Sequence, residues 1–139
     1  MTIKLSQAIN LNGAIVDLVT KDKENKLVFP SSVRYRFADA LSSLKPALES
    51  YQKDNNTYVE KYGEDKEGKG FKVVLEDSPN WELFKSDMLA LLDRQVDVKV
   101  RPITEAELAA AETKDYRVDV ASIISLRELG LLVESPQTK

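Results

Sequence analysis

Apolar positions in this chain recur mainly at helical spacing, and the longest such run lies within residues 31–63. There Phe37, Leu41, Leu44, Leu48, Tyr51, Asn55, Tyr58 and Tyr62 follow one another at alternating steps of four and three. Those steps hold one stripe on one side of a helix, the seam pattern of helix packed on helix. Ahead of it, Ala8, Leu11, Ile15 and Leu18 share a face that Ile9 and Val19 widen. This predicts a first helix with Ser6 as its N-cap. At about 14 residues, or about 20 Å, that helix is too short to cover a seam reaching Tyr62. Gly13 weakens it by about 1 kcal/mol relative to alanine, unless the missing side chain admits a neighbouring backbone.

Pro46 interrupts the seam, which predicts a kink near residues 42–46 or two helices meeting there. Ser31 or Ser32 is the expected cap, and Gly63 the expected left-handed terminator. A charged, glycine-punctuated loop then leads to residues 71–75, which alternate as a half-buried strand. Ser78-Pro79 reads as a helix start, with Trp81, Phe84, Met88 and Leu91 on the core face and Leu83 and Leu92 flanking it. Trp81 is expected to anchor that helix over the sheet. Residues 96–100 form the cleanest strand, valines on one face and charges on the other. Thr104 and Glu107 make a capping box for a short helix, and Asp119 caps a last one closed by Gly130. The expected fold is α+β and mostly helical, one domain over residues 1–134 with a flexible tail at 135–139. It has a long kinked helix at about 32–62, packed on other helices, and a small two- or three-stranded sheet from strands near 71–75 and 96–100.

Composition narrows the chemistry more than the fold. At 139 residues the chain is long enough for a core without staples, and its 42% apolar and 31% charged residues are those of a folded soluble protein. With no cysteine and no histidine it lacks disulfides, thiolate zinc sites, cysteine nucleophiles and the usual proton shuttle. A net charge of −3 argues against nucleic acid as a partner. No run approaches the roughly 18 apolar residues of a membrane span, and no secretory core opens the chain, so the expected place is the cytoplasm. Glu67-Gly68-Lys69-Gly70 precedes a strand instead of opening a helix, which is the wrong order for a phosphate cradle. The acidic pairs Glu64/Asp65, Glu76/Asp77 and Glu105/Glu107 lack calcium-loop spacing and read as solvated surface. Arg34, Arg36, Lys45 and Lys53 are interrupted by Asp39, Glu49 and Asp54, which predicts ion pairs rather than a phosphate track. No catalytic, cofactor or metal residue is assigned.

The order of the motifs carries a resemblance. A leucine-rich helix around Pro46 runs into Tyr58 and Glu60-Lys61-Tyr62-Gly63; an acidic glycine turn, a second helix, the stretch Leu91-Leu92-Asp93-Arg94-Gln95-Val96-Asp97-Val98 and a helix from Thr104 follow. Over roughly residues 31–130 this resembles a family of small bacteriophage proteins, found in siphophages and prophages, of unknown function. The resemblance implies a phage origin and an accessory role in the host cytoplasm, whether structural or in host takeover, and assigns no site residue.

Three functional expectations follow. The first is a non-enzymatic accessory protein that presents its helical hairpin to a protein partner or to a second copy, as a coiled coil does. Tyr51, Asn55, Tyr58 and Tyr62 are its partner-binding residues, since the seam outruns the first helix. Asn55 either fixes register there or marks where the seam frays into water. The second is an acidic inhibitor of a host defence or transcription enzyme. The third is a small-molecule-binding or sequestering protein with a pocket near Trp81 or the tyrosines.

Overall fold

The seam folds as one helix, α2 (Ser31–Tyr62), unbroken through Pro46. Two helices meeting at the proline are therefore not what forms. Pro46 and Ser42, one turn earlier, both face solvent, so the carbonyl that the ring cannot bond lies on the wet side of the helix. The computed structural model describes residues 1–65, 68, 70 and 72–135. Among them are five helices and two small sheets, an α+β arrangement that is mostly helical.

Helix α1 (Leu5–Lys23) is 19 residues long and starts two residues earlier than the Ser6 cap implies. Lys4 is the cap residue instead, and its N–H donates to the Gln7 side chain at 2.9 Å. Leu5 is thereby free to join Ala8, Leu11, Ile15 and Leu18 in the buried stripe. The preceding strand β1 (Thr2–Lys4) pairs antiparallel with β2 (Gln95–Asp97), Ile3 opposite Val96. The sheet thus joins residues over ninety positions apart. Of the strand expected at 71–75, residues 72–75 take no part in it: Val73 makes a single bridge to Glu64, and Phe71 lies outside the described residues.

Helix α3 (Trp81–Leu92) begins two residues after the expected proline, with Asn80 at the cap position. Ser78-Pro79 forms the turn before it, the Ser78 hydroxyl accepting from the Asn80 N–H at 3.2 Å. Gly63 ends α2 with φ −82° and ψ 162°, extended rather than left-handed. Its lack of a side chain is still required, because a Cβ there would lie 2.3 Å from the Val59 carbonyl oxygen.

Both α1 and α3 pack on α2, and both run antiparallel to it. Arg34 of α2 meets Asp22 near the end of α1, while Tyr62 at the far end of α2 meets Phe84 and Asp87 of α3. Where α3 ends, α1 begins: the Leu5 N–H donates to the Arg94 carbonyl at 2.8 Å, and Lys4 pairs with Asp93. The two helices therefore lie in tandem along one partner. Their combined length, about 46 Å, matches the about 48 Å of α2. The seam that outruns a single short helix is covered from within the chain.

A second side of α2 is latched by residues 98–102, which follow β2 and are not part of a strand, so the expected strand at 96–100 ends at Asp97. Lys99 donates its N–H to Ser43 Oγ at 2.7 Å, Arg101 pairs with Asp39 at 2.6 Å, and Arg36 reaches the Pro102 carbonyl at 3.0 Å. The chain continues as β3 (Ile103–Thr104), α4 (Glu105–Ala111), α5 (Val120–Glu128) and β4 (Leu132–Val133), with β3 and β4 parallel. The expected caps are in place here: Thr104 and Glu107 form a capping box, and Asp119 accepts from the Ser122 N–H. Apolar side chains of α1, α2, α4 and α5 share one core with Leu27, Phe29 and Ile103. Residues 136–139 of the expected tail lie outside the described residues; Ser135 accepts a hydrogen bond from the Ala106 N–H at 2.9 Å.

Gly13 sits mid-helix and exposed, with nothing within 4 Å of where a Cβ would be, so no backbone approaches it. Gly13→Ala is expected to raise stability by about 0.5–1 kcal/mol in urea unfolding; a lower midpoint would contradict this packing. The partly buried Arg36–Glu107 pair supplies a second test. Arg36 holds the Glu107 carboxyl below its ordinary value of 4.5, and Arg34 holds Asp22 below 3.8. Carboxyls depressed on folding stabilise fully above their unfolded values, and that stability is lost as pH falls through the folded ones. Glu107→Gln keeps the capping geometry without the charge. It should cost about 2 kcal/mol at neutral pH, with the gap to wild type closing below about pH 4. A gap independent of pH would contradict the pairing.

Candidate interaction face on helix α3

The four seam residues expected to bind a partner are largely used inside the chain. Tyr62 is 8% exposed, its hydroxyl donates to Asp87 Oδ2 at 2.6 Å, and its ring meets Phe84 edge-on at 6.4 Å. Tyr51 and Tyr58 are half-buried against the main core, and Asn55 is half-buried as well. The Tyr62 hydroxyl thus has a carboxylate partner within the chain. The seam faces α1 and α3, and at this end the outer side of α2 is polar while the exposed leucines belong to α3.

Helix α3 has the sequence Trp-Glu-Leu-Phe-Lys-Ser-Asp-Met-Leu-Ala-Leu-Leu, apolar on more than one side. Leu91 is buried, and Phe84, Asp87 and Met88 are half-buried toward α2. Opposite them Leu83 is 57% exposed and Leu89 58% exposed, with exposed Ser86 and Ala90 alongside. The small side chains leave the two leucines standing as prongs on a flat helical face. Trp81 is half-buried and tilted against Phe84 at 6.0 Å, beside Tyr62 rather than over a sheet.

Charge at this end differs from charge elsewhere. The basic residues of α2 are paired mostly with other elements: Arg34 with Asp22, Arg36 with Glu107, and the acidic Asp39 and Asp54 with Arg101 and Arg94. Only Lys45–Glu49 pairs within the helix. Glu105 turns to Arg127 and Glu107 to Arg36, so those two carboxylates do not converge. Glu76, Asp77 and Glu82 enter no ion pair among the described residues. Asp115, Glu128 and Glu134 are similar but dispersed, whereas these three fall within seven positions at the start of α3. Lys85 is the one basic residue on the helix.

A cleft of about 300 Å³ lies between α1 and α5, floored by Leu18 and Leu126, and a groove of about 450 Å³ crosses α1 and α2 beside Phe37 and Leu41. Neither is lined by Trp81 or the seam tyrosines. In the first, Lys21 lies 5.0 Å from the Tyr116 ring; hydrogen bonds to Asp17 and then Tyr116 raise its pKa. No cluster of ligating side chains suited to a metal occurs among the described residues, and no helix there is long and apolar enough to cross a membrane.

Sequence reading placed Leu83 at the edge of the core and passed over Leu89. The available signal was the excess of apolar residues in a twelve-residue helix beyond what one buried face needs. The Tyr62–Asp87 bond gives a direct check on how this end is held. Tyr62→Phe should lower stability by about 1–2 kcal/mol in urea unfolding, since a half-buried carboxylate loses its donor; an unchanged midpoint would refute that role. No protein-family model, curated protein or solved structure matches this chain.

Proposed function

We propose that this is a non-enzymatic, phage-encoded accessory protein that works by binding another protein through the α2/α3 end of its helical hairpin. One observation carries the reading: α3 holds the seam of α2 with one face and presents Leu83 and Leu89, each more than half exposed, on the other. Val120 and Tyr35 are more exposed still, but Leu83 and Leu89 are the exposed leucines, and two on one helix form the kind of patch that helix-in-groove recognition uses. The phage origin rests on the motif order from the Pro46 helix to Thr104. The acidic-inhibitor reading is favoured second, by the free carboxylates of Glu76, Asp77 and Glu82.

The double variant Leu83→Glu/Leu89→Glu separates this role from a structural one, because both side chains already face water. It should keep its melting temperature within a few degrees and lose at least about tenfold in capture of its partner from bacterial lysate. Val16→Glu, on an exposed site of α1, should leave capture intact. Equal capture by the double variant would contradict the proposal.

A further inference from the structure

We infer that the outer face of α3 takes a basic amphipathic helix of a different protein, leucine-like side chains packing between Leu83 and Leu89 and lysines or arginines meeting Glu76, Asp77 and Glu82. This rests on the interaction reading above and adds the chemistry of the partner. The shape argument comes from α3 itself. Exposed Ser86 and Ala90 beside two exposed leucines make the holes and knobs that a second helix fills, over about 10 Å or two turns.

The charge argument selects the occupant. Glu82 stands in the first turn of α3, where the helix dipole already favours an anion. Glu76 and Asp77 precede the helix and have no such reason, yet neither enters an ion pair among the described residues. Asp87 and Asp93 are satisfied, by the Tyr62 hydroxyl and Lys4 respectively, so among the described residues the unmatched carboxylates near α3 are Glu82 in its first turn and Glu76 and Asp77 in the turn before it. A second copy docking two-fold on the same patch is disfavoured: an antiparallel partner sets each acidic end against the apolar far end of the other, and a displaced one brings like charges together. A basic helix neutralises the acidic end and buries the leucines at once.

The test titrates the isotope-labelled full chain with a synthetic peptide of leucine and lysine at helical spacing, about four turns long. A counterpart with glutamate for lysine serves as the control. The expected result is saturable amide shifts confined to residues 76–90, weakened about tenfold or more between about 50 and about 500 mM salt. The same loss is expected in Glu76→Lys/Asp77→Lys/Glu82→Lys, checked for folding by circular dichroism. Binding of the glutamate peptide as tightly, shifts centred elsewhere, undiminished binding by the triple variant, or no binding of the lysine peptide would each overturn the inference. Should Leu83→Glu/Leu89→Glu lose its cellular partner while the lysine peptide fails, the interaction reading stands and the basic-helix inference falls.

Discussion

The structure depends on one constraint: a 32-residue helix with an apolar ridge along its length must have that ridge covered. No single neighbour is long enough, so the chain uses two. Helix α1 covers the first part and α3 the second, and the β1–β2 ladder fixes where one stops and the other starts. The joint sits opposite Tyr51 to Asp54, held by the Leu5–Arg94 backbone bond and the Arg94–Asp54 and Lys4–Asp93 pairs. Each truncation of a buried leucine on such a ridge costs about 2–5 kcal/mol, against about 1 kcal/mol or less for an exposed ion pair. Apolar packing therefore supplies the stability of the α1–α2–α3 layer, while the charges set its register.

The latch along the second side of α2 works the same way at smaller scale. Ser43, Asp39 and Arg36 descend one face at helical steps and meet Lys99, Arg101 and Glu107 in reverse order. The Asp39–Arg101 pair is about two-thirds exposed on both sides and adds little energy, but it orients the segment between β2 and β3 that delivers buried Val98 and Ile103 to the core. Arg36 is different. Half-sheltered and hydrogen-bonded to both Glu107 and the Pro102 carbonyl, it ties α2 to the start of α4.

Local signals were legible in the sequence, and distant pairings were not. The stripe from Phe37 to Tyr62, the α1 face, the Thr104–Glu107 capping box and the Asp119 cap all depend on residues within a few turns of one another, and all are present. The start of α1 was misread because Lys4 answers to Gln95 across the sheet, a partner no local pattern reveals. The alternation at 71–75 proposed a strand, but the sheet edge was taken by residues 2–4, leaving Val73 one bridge. At the candidate site, the pairing of Tyr62 with Asp87 and Phe84 of α3 is one that no local pattern reveals. With Tyr62 on one side of α3, Leu83 and Leu89 are left exposed on the others.

The most direct test of this account is amide hydrogen exchange along α2 in the isolated chain at low concentration. Tandem cover by α1 and α3 predicts that amides beyond Tyr51, up to about Val59, are protected to a degree comparable with those from Phe37 to Leu48. Exchange near the unfolded-chain rate beyond Tyr51, with protection ending where α1 ends, would show that the distal ridge has no cover within the monomer and would contradict it.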